Sequence, residues 1–391
     1  MCFCQCSNLL AGSDAAHSAH IGTDILADMA SHQHFALTQV NGTFASSNRH
    51  TDFACNFGHS IYIVRRNRVF QNHRTVRLNC TTKSDRLRQC HAAMNFQNEI
   101  EIRADRIEDF NQNFLRSVYF RGSVIMSAIS AIDIALWDIR SKVTKLPLYQ
   151  LLGGYRESIP FYIAGGYYGP DKGIPELQKE MEQYVSWGAK AVKMKVGALS
   201  IKEDAARVKA VREVIGEDVK LLLDANCAYR PYEAIEFSRQ VEEYCPFWFE
   251  EPVDADDYEG YKKVAAKSAI PIAGGENEST RYGFRDLINT QAVSILNPDA
   301  TCTGGVTEFL KIASLASANG VAMSPHGQQQ VHIHLDCAVP GSILAEFYPP
   351  QYDAKVYEAF KNPIIMNADG TISPGKEPGT GLDINEEVLK D

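Results

Sequence analysis

Eight short apolar runs recur between Ile159 and Pro349, and a polar or charged residue stands at or near the end of nearly every one. They are IPFYIAGG, AKAVKMKVG, VKLLLDAN, FWFEEPV, IPIAGGEN, AVSILNP, VAMSPHG and ILAEFYP. Most are separated by 20 to 30 residues with helical patterning, such as EDAARVKAVREVIGED and GVTEFLKIASLASANG. Continuous apolar strands alternating with amphipathic helices indicate a parallel sheet covered by helices. Eight units of even length predict an α/β fold, a (β/α)8 (TIM-like) barrel, in preference to an open doubly wound sheet.

The carboxyl ends of such strands form the functional rim of a barrel. Residues i and i+2 of a strand share a face, so Lys193 and Lys195 of AVKMKVG aim at one place. The following strands end on Asp224 and Asn226, then Glu250, Glu276, Asp299, His326 and Glu346. Strand ends commonly meet water, which accounts for one such charge but poorly for seven in succession. Asp224, Glu250 and Glu276 in one mouth would repel each other without a cation. An all-oxygen donor set suits a hard divalent ion, Mg²⁺ first, and the absence of His or Cys disfavours zinc. Lys195, desolvated beside a cation, reads as a base, and Lys193 as a contact to a substrate carboxylate or a neighbour that tunes Lys195. Asp299 and His326 form a candidate dyad in which the carboxylate orients the imidazole. This set suits removal of the proton α to a carboxylate. Reprotonation then gives racemisation or epimerisation, and loss of a β-hydroxyl gives dehydration.

The first hundred residues have a different texture. No proline precedes Pro147, and all 16 lie from there onward. Residues 1 to 91 hold 6 of 10 cysteines and 8 of 11 histidines, with 9 Lys+Arg against 5 Asp+Glu. Sustained periodicity is weak, although HSIYIVRRNRVF reads as strand. MCFCQC and the nearby histidines lack the paired spacing of a zinc site and read as incidental. The net charge of −9 argues against nucleic acid and anionic membrane as partners. The most apolar helix, SVIMSAISAIDIALWDI, carries Asp133 and Asp138 and reads as buried rather than membrane-spanning. Ten cysteines without a basic, apolar leader predict a cytoplasmic location. A homo-oligomer is expected. Glu251 reads as structural, His332, His334 and Trp137 as packing, and the later cysteines as inert.

The ordered motifs ALWDIRSK, LYQLLGG, VKMKVG, DANC, FEEP, GGEN, NPD, SPHG and AEFYP resemble the enolase superfamily, in its mandelate racemase-like subgroup of acid sugar dehydratases. The resemblance covers about residues 106 to 391. It implies Mg²⁺ ligation by Asp224, Glu250 and Glu276. It also implies Lys195 and the His326–Asp299 dyad as the two acid/base groups, and a protonated Glu346 donating to the substrate carboxylate. Asn226 would touch substrate or bound water. The substrate implied is a small carboxylate, an aldonate or aldarate, giving a 2-keto-3-deoxy acid. A racemase or epimerase of a 2-hydroxy acid is the alternative. A lysine opposite the K-x-K pair, as in muconate cycloisomerase-like relatives, is replaced here by His326. The same resemblance implies an N-terminal α+β capping domain, for which residues 1–104 show no evident strand meander or glycine-rich lid. The expected organisation is an anomalous segment at 1–105, capping helices at 106–155, the barrel at 156–350, and a segment at 351–391 returning to the cap. A misassigned start or an inactive paralogue is the rival reading, and the first hundred residues are its marker.

Overall fold

The computed structural model describes residues 52–57, 60–66, 75–81, 100–115, 123–352 and 357–388. The MCFCQC run and the histidines near it lie outside them. The chain divides into two compact units, Met1–Leu136 and Trp137–Asp391.

The first unit contains strands β1 (Asp52–Phe57), β2 (Ser60–Arg66), β3 (Thr75–Thr81) and β4 (Ile100–Arg103). They pair antiparallel in sequence order, with Phe57 opposite Ser60, Ile61 opposite Thr81 and Thr75 opposite Arg103. This meander corrects the expectation of none before residue 105. Ladder bonds join backbones, so Arg65, Arg77 and Asn79 do not prevent pairing, yet they blur the alternation that a sequence reading relies on. Helix α1 (Ile107–Leu115) follows, and helix α2 (Ser123–Thr144) runs through the unit boundary. As expected, α2 carries the buried Asp133, and no helix among the described residues is long and apolar enough to cross a membrane.

The second unit is the barrel. Its parallel strands are β5 (Ile159–Gly165), β6 (Ala191–Lys195), β7 (Lys220–Asp224), β8 (Trp248–Glu250), β9 (Ile272–Gly274), β10 (Ile295–Leu296), β11 (Ala322–Met323) and β12 (Ala345–Phe347). Neighbours pair in order from β5 to β11, and β12 pairs with β5. The ring closes where Met323 bridges Ser342 in parallel and the Ser324 hydroxyl donates to the Leu344 carbonyl at 2.8 Å. Alternate residues fill the interior: Tyr162, Ala164, Ala191, Leu222, Trp248, Ala273, Ile295 and Leu344 form one buried cluster.

Local chemistry sets the intervening helices. Helix α3 (Leu148–Leu151) precedes β5, and α4 (Ile174–Ser186) follows it. Helix α5 (Ile201–Ile215) starts at a reciprocal cap, in which Ser200 Oγ accepts from the Glu203 N–H and Glu203 accepts from the Ser200 N–H. It stops at Gly216, whose φ of 73° suits a residue without Cβ. Helix α6 (Pro231–Val241) opens on proline, whose missing N–H costs nothing there. Then come α7 (Tyr258–Ala265), α8 (Thr280–Asn289), α9 (Ala300–Thr303), α10 (Gly305–Ala318) and α11 (Gln329–Ala338). The chain ends in a hairpin, β13 (Ile365–Met366) and β14 (Thr371–Ser373), with β14 antiparallel to the start of β5. Beyond it, Thr380 donates to Asp138, and Lys142 bonds Asp383 at 2.7 Å.

Candidate active site

Strand register builds the site. Lys195 pairs with Asp224, and Asp224 with Glu250, so three charged groups from β6, β7 and β8 stand level at the barrel's carboxyl rim. Lys193 points the same way one layer deeper, level with Leu222 and Trp248. The carboxylates of Asp224, Glu250 and Glu276 each offer an oxygen within 4.8 Å of the others.

Lys193 is 1% exposed, with Nζ 3.3 Å from Asp224, 3.1 Å from Glu250 and 3.2 Å from Glu346. Burial opposes its charge, but Glu250 and Glu346, with Asp224, outweigh that and hold the ammonium well above its ordinary range. Lys193 therefore balances the carboxylates from below, and its ammonium is engaged with protein groups. Lys195 Nζ lies 2.6 Å from Asp224 Oδ2, with the Tyr167 ring centroid 5.6 Å away. Burial opposes its charge too, and Asp224 outweighs it, so the proton stays on the amine while Asp224 carries its full charge. Asp224 is held well below the usual carboxylate range, burial being overcome by Lys195 and Lys193. Glu250 is bound by Lys193 and by the Trp248 indole at 3.0 Å, yet burial and the surrounding carboxylates push it upward.

On the other side, His326 Nδ1 is 3.3 Å from Asp299 Oδ2, and Nε2 is 3.6 Å from Glu276 Oε2. Burial lowers the imidazole's affinity for a proton, but Glu276, Asp299 and Glu346 raise its pKa to about 10. Asp299 is buried; His326, His332 and Thr301 hold it below its ordinary value despite that burial. His332 is more than packing. Its Nε2 accepts from the Ala300 N–H at 2.9 Å and lies 3.5 Å from Asp299, while Nδ1 is 2.6 Å from the Gly327 carbonyl. The adjacent Gly327 N–H donates to Glu346 Oε2 at 2.6 Å, so His332 is tied to both the dyad and Glu346.

Glu346 is expected to carry a proton against a substrate carboxylate; in the ligand-free chain its surroundings favour the charged form. Burial favours the acid, but Lys193, His326 and the Gly327 N–H favour the carboxylate and lower its pKa. Asn226 is exposed in a left-handed conformation, φ 42°, and its backbone N–H donates to Asp224 Oδ1 at 3.0 Å. Glu251 is buried, accepts from Asn277 and receives the Cys227 thiol, and burial with Glu276 and Asp224 pushes it up to about 8. Trp137 is half-buried, its indole donating to Thr307. His334 is buried and accepts from the Tyr149 N–H.

The trio fits a divalent cation. Its donors are oxygens alone, and the buried Glu276 Oε2 has no hydrogen-bond partner among the described residues. Mutual repulsion among the three carboxylates is what a hard ion relieves.

Comparison with known proteins gives the same frame. Residues 176–388 match the Enolase C-terminal domain-like family, and residues 90–153 match the N-terminal domain of the mandelate racemase / muconate lactonizing enzyme family. The arabinonate dehydratase of Saccharolobus solfataricus is 36% identical over 276 residues, 69% of this chain and 73% of the relative. The 3,6-anhydro-alpha-L-galactonate cycloisomerase of Streptomyces coelicolor is 34% identical over 290 residues, 73% of this chain and 78% of the relative. A racemase from Streptomyces coelicolor A3(2), solved with bound magnesium, superposes with a TM-score of 0.71 at 29% identity, covering 84% of this chain and 91% of that one.

Proposed function

The chain belongs to the enolase superfamily, in its mandelate racemase-like subgroup, and from that premise we propose that it is a Mg²⁺-dependent sugar acid dehydratase. The observation that carries this reading is the carboxylate trio with one proton carrier at each end: Lys195 on Asp224 at 2.6 Å, and His326 3.6 Å from Glu276. Asp224, Glu250 and Glu276 would hold the ion, which when bound polarises a substrate carboxylate and lowers the cost of charge developing on it.

Lys195 takes the α-proton. In the free chain Asp224 keeps the amine charged; with the charge on Asp224 neutralised, that hold weakens and a neutral amine becomes accessible. His326, protonated and aligned by Asp299, gives its proton to the departing β-hydroxyl. Water leaves, a carbon–carbon double bond forms, and the resulting enol tautomerises to the 2-keto-3-deoxy acid. Glu346 gains its proton as the anionic substrate carboxylate approaches, because like charges raise its pKa. Asn226 contributes a polar contact at the rim. Kinship with an arabinonate dehydratase supports an aldonate-type substrate, and the racemase neighbour supports the second reading, epimerisation of a 2-hydroxy acid by the same two groups.

The test incubates the protein with Mg²⁺ and a panel of aldonates and aldarates, with Lys195→Ala and His326→Asn as controls. A 2-keto acid is expected. An epimer without keto acid selects the second reading, and neither product, with no α-proton exchange in D₂O, overturns both.

A further inference from the structure

Behind Lys195 lies a buried ion pair that the chemistry above does not use. Asp204 and Arg207, three residues apart on α5, are 0% and 7% exposed. A buried pair is costly to desolvate and weak evidence for stability, so its bonding pattern is informative. Arg207 reaches two strand ends at once: it donates to the Lys195 carbonyl at 2.9 Å and to the Gly166 carbonyl at 2.7 Å. It also donates to Asp204 Oδ1 at 3.0 Å. Asp204 Oδ2 accepts from the Gly197 N–H at 2.8 Å and the Leu199 N–H at 3.3 Å. The Tyr168 hydroxyl donates to Asp204 at 2.6 Å, and its ring lies 3.9 Å from the guanidinium carbon.

These bonds converge on the backbone on both sides of one side chain. The carbonyl of Lys195, the N–H two residues on, and the loop that places the Tyr167 ring beside the Lys195 amine are all fixed by the same pair. We propose that Arg207, seated by Asp204 and Tyr168, is a positioning residue for Lys195. The guanidinium spreads its donors in a fixed planar fork, with Nη1 on the Lys195 carbonyl and Asp204 and Nη2 on the Gly166 carbonyl, a span that the single nitrogen of lysine does not reproduce. Displacing a reacting group by about 1 Å costs roughly a hundredfold in rate. Among the described residues the hydrogen bonds of Arg207 go to Lys195, Gly166 and Asp204, all on the lysine side, so the clamp acts on one flank of the site.

The proposal rests on Lys195 being a proton carrier, and the experiment separates the two. C2-epimeric aldonates, gluconate with mannonate and galactonate with talonate, are incubated in D₂O with Mg²⁺. Lys195→Ala and His326→Asn identify which epimer's exchange each group carries. Arg207→Lys is expected to lower the kcat of Lys195-dependent exchange about tenfold to a hundredfold, with KM changed less than about threefold. His326-dependent exchange and Mg²⁺ affinity should stay within about twofold of wild type. Tyr168→Phe, which removes the hydrogen bond to Asp204 and the one accepted from the Ala198 N–H but leaves the guanidinium in place, should give a smaller loss on the same flank and keeps the test decisive if Arg207→Lys folds poorly. Equal loss on both flanks, or no loss on either, overturns the proposal. Where the wild type lacks Lys195-dependent exchange, the proposed function has failed, and competitive acetylation with acetic anhydride, read by mass spectrometry, decides the clamp alone. Lys195 labelling should then change at least about threefold in Arg207→Lys relative to the exposed Lys263; an unchanged ratio overturns the positioning role.

Discussion

The two flanks of the barrel mouth hold their protons by different physics. On the lysine flank, Lys193 and Lys195 are caged by carboxylates at 2.6 to 3.3 Å, and charge is matched directly against charge. On the histidine flank, Asp299 orients the imidazole with Thr301 and His332 behind it, and Glu276 of the trio adds its charge from 3.6 Å on the other ring nitrogen. A cage responds strongly to any charge placed in it, because buried pairs interact more strongly than pairs in water. A relay responds to geometry and tautomer. A cation at the trio therefore bears on both flanks, on Lys195 through Asp224 at 2.6 Å and on His326 through Glu276 at 3.6 Å, while Asp299 continues to orient the imidazole.

The sharpest way to break this contrast is to remove each carrier. Lys195→Ala and His326→Asn should each lower 2-keto acid formation about 10³-fold, while α-proton exchange survives in only one of them. Loss of exchange in both would mean that the flanks do not act separately. Next in size, Glu276→Gln should weaken Mg²⁺ binding about a hundredfold by calorimetry, with the apo fold intact by circular dichroism. An unchanged affinity would remove Glu276 from the metal set. On the relay, Asp299→Asn should cost about tenfold to a hundredfold in kcat. Asp299 is one of the groups that raise His326 to about 10, so its loss lowers that pKa and the imidazolium is lost at lower pH. The alkaline limb of kcat/KM should move acidward; an unmoved limb would show that Asp299 does not set the charge on His326.

The smallest effect lies outside both flanks. Asp336 on α11 is fully buried, and burial pushes it up to about 8 against the weaker pull of Ser342 and Arg156. Its unfolded pKa is about 3.9. Between these values the unfolded chain releases a proton that the folded chain keeps, so stability falls as pH rises from 4 to 8. Asp336→Asn removes that slope. At a fixed scan rate the variant's gain in Tm over wild type should be larger at pH 8 than at pH 5 by about 4–7 °C. An equal gain at both pH values would mean that Asp336 is already ionised in the fold.

Much of the site was legible because strand ends carry position as well as identity. The eight apolar runs located the rim, and the i, i+2 spacing of Lys193 and Lys195 gave their shared direction. Other features were not legible, for physical reasons. His332 looks like a helix residue among apolar neighbours, and only packing brings it to Asp299. The charge on Glu346 in the ligand-free chain depends on Lys193, which is remote in sequence and 3.2 Å away in space. Arg207 reads as the charged face of an amphipathic helix, yet it is buried against the Lys195 and Gly166 carbonyls. The β1–β4 meander escaped because its pairing is backbone chemistry under an irregular side-chain pattern.

The sequence by itself determined the alternation of strand and helix, the parallel barrel, and the set of charges delivered to one rim. These follow from periodicity and hydrophobic burial, which are local and additive along the chain. The tertiary structure alone decided which charge meets which, where each proton rests, and what holds Lys195 in place. Those depend on distances of about 3 Å between groups tens of residues apart, and electrostatic energies are fixed only once such distances are set.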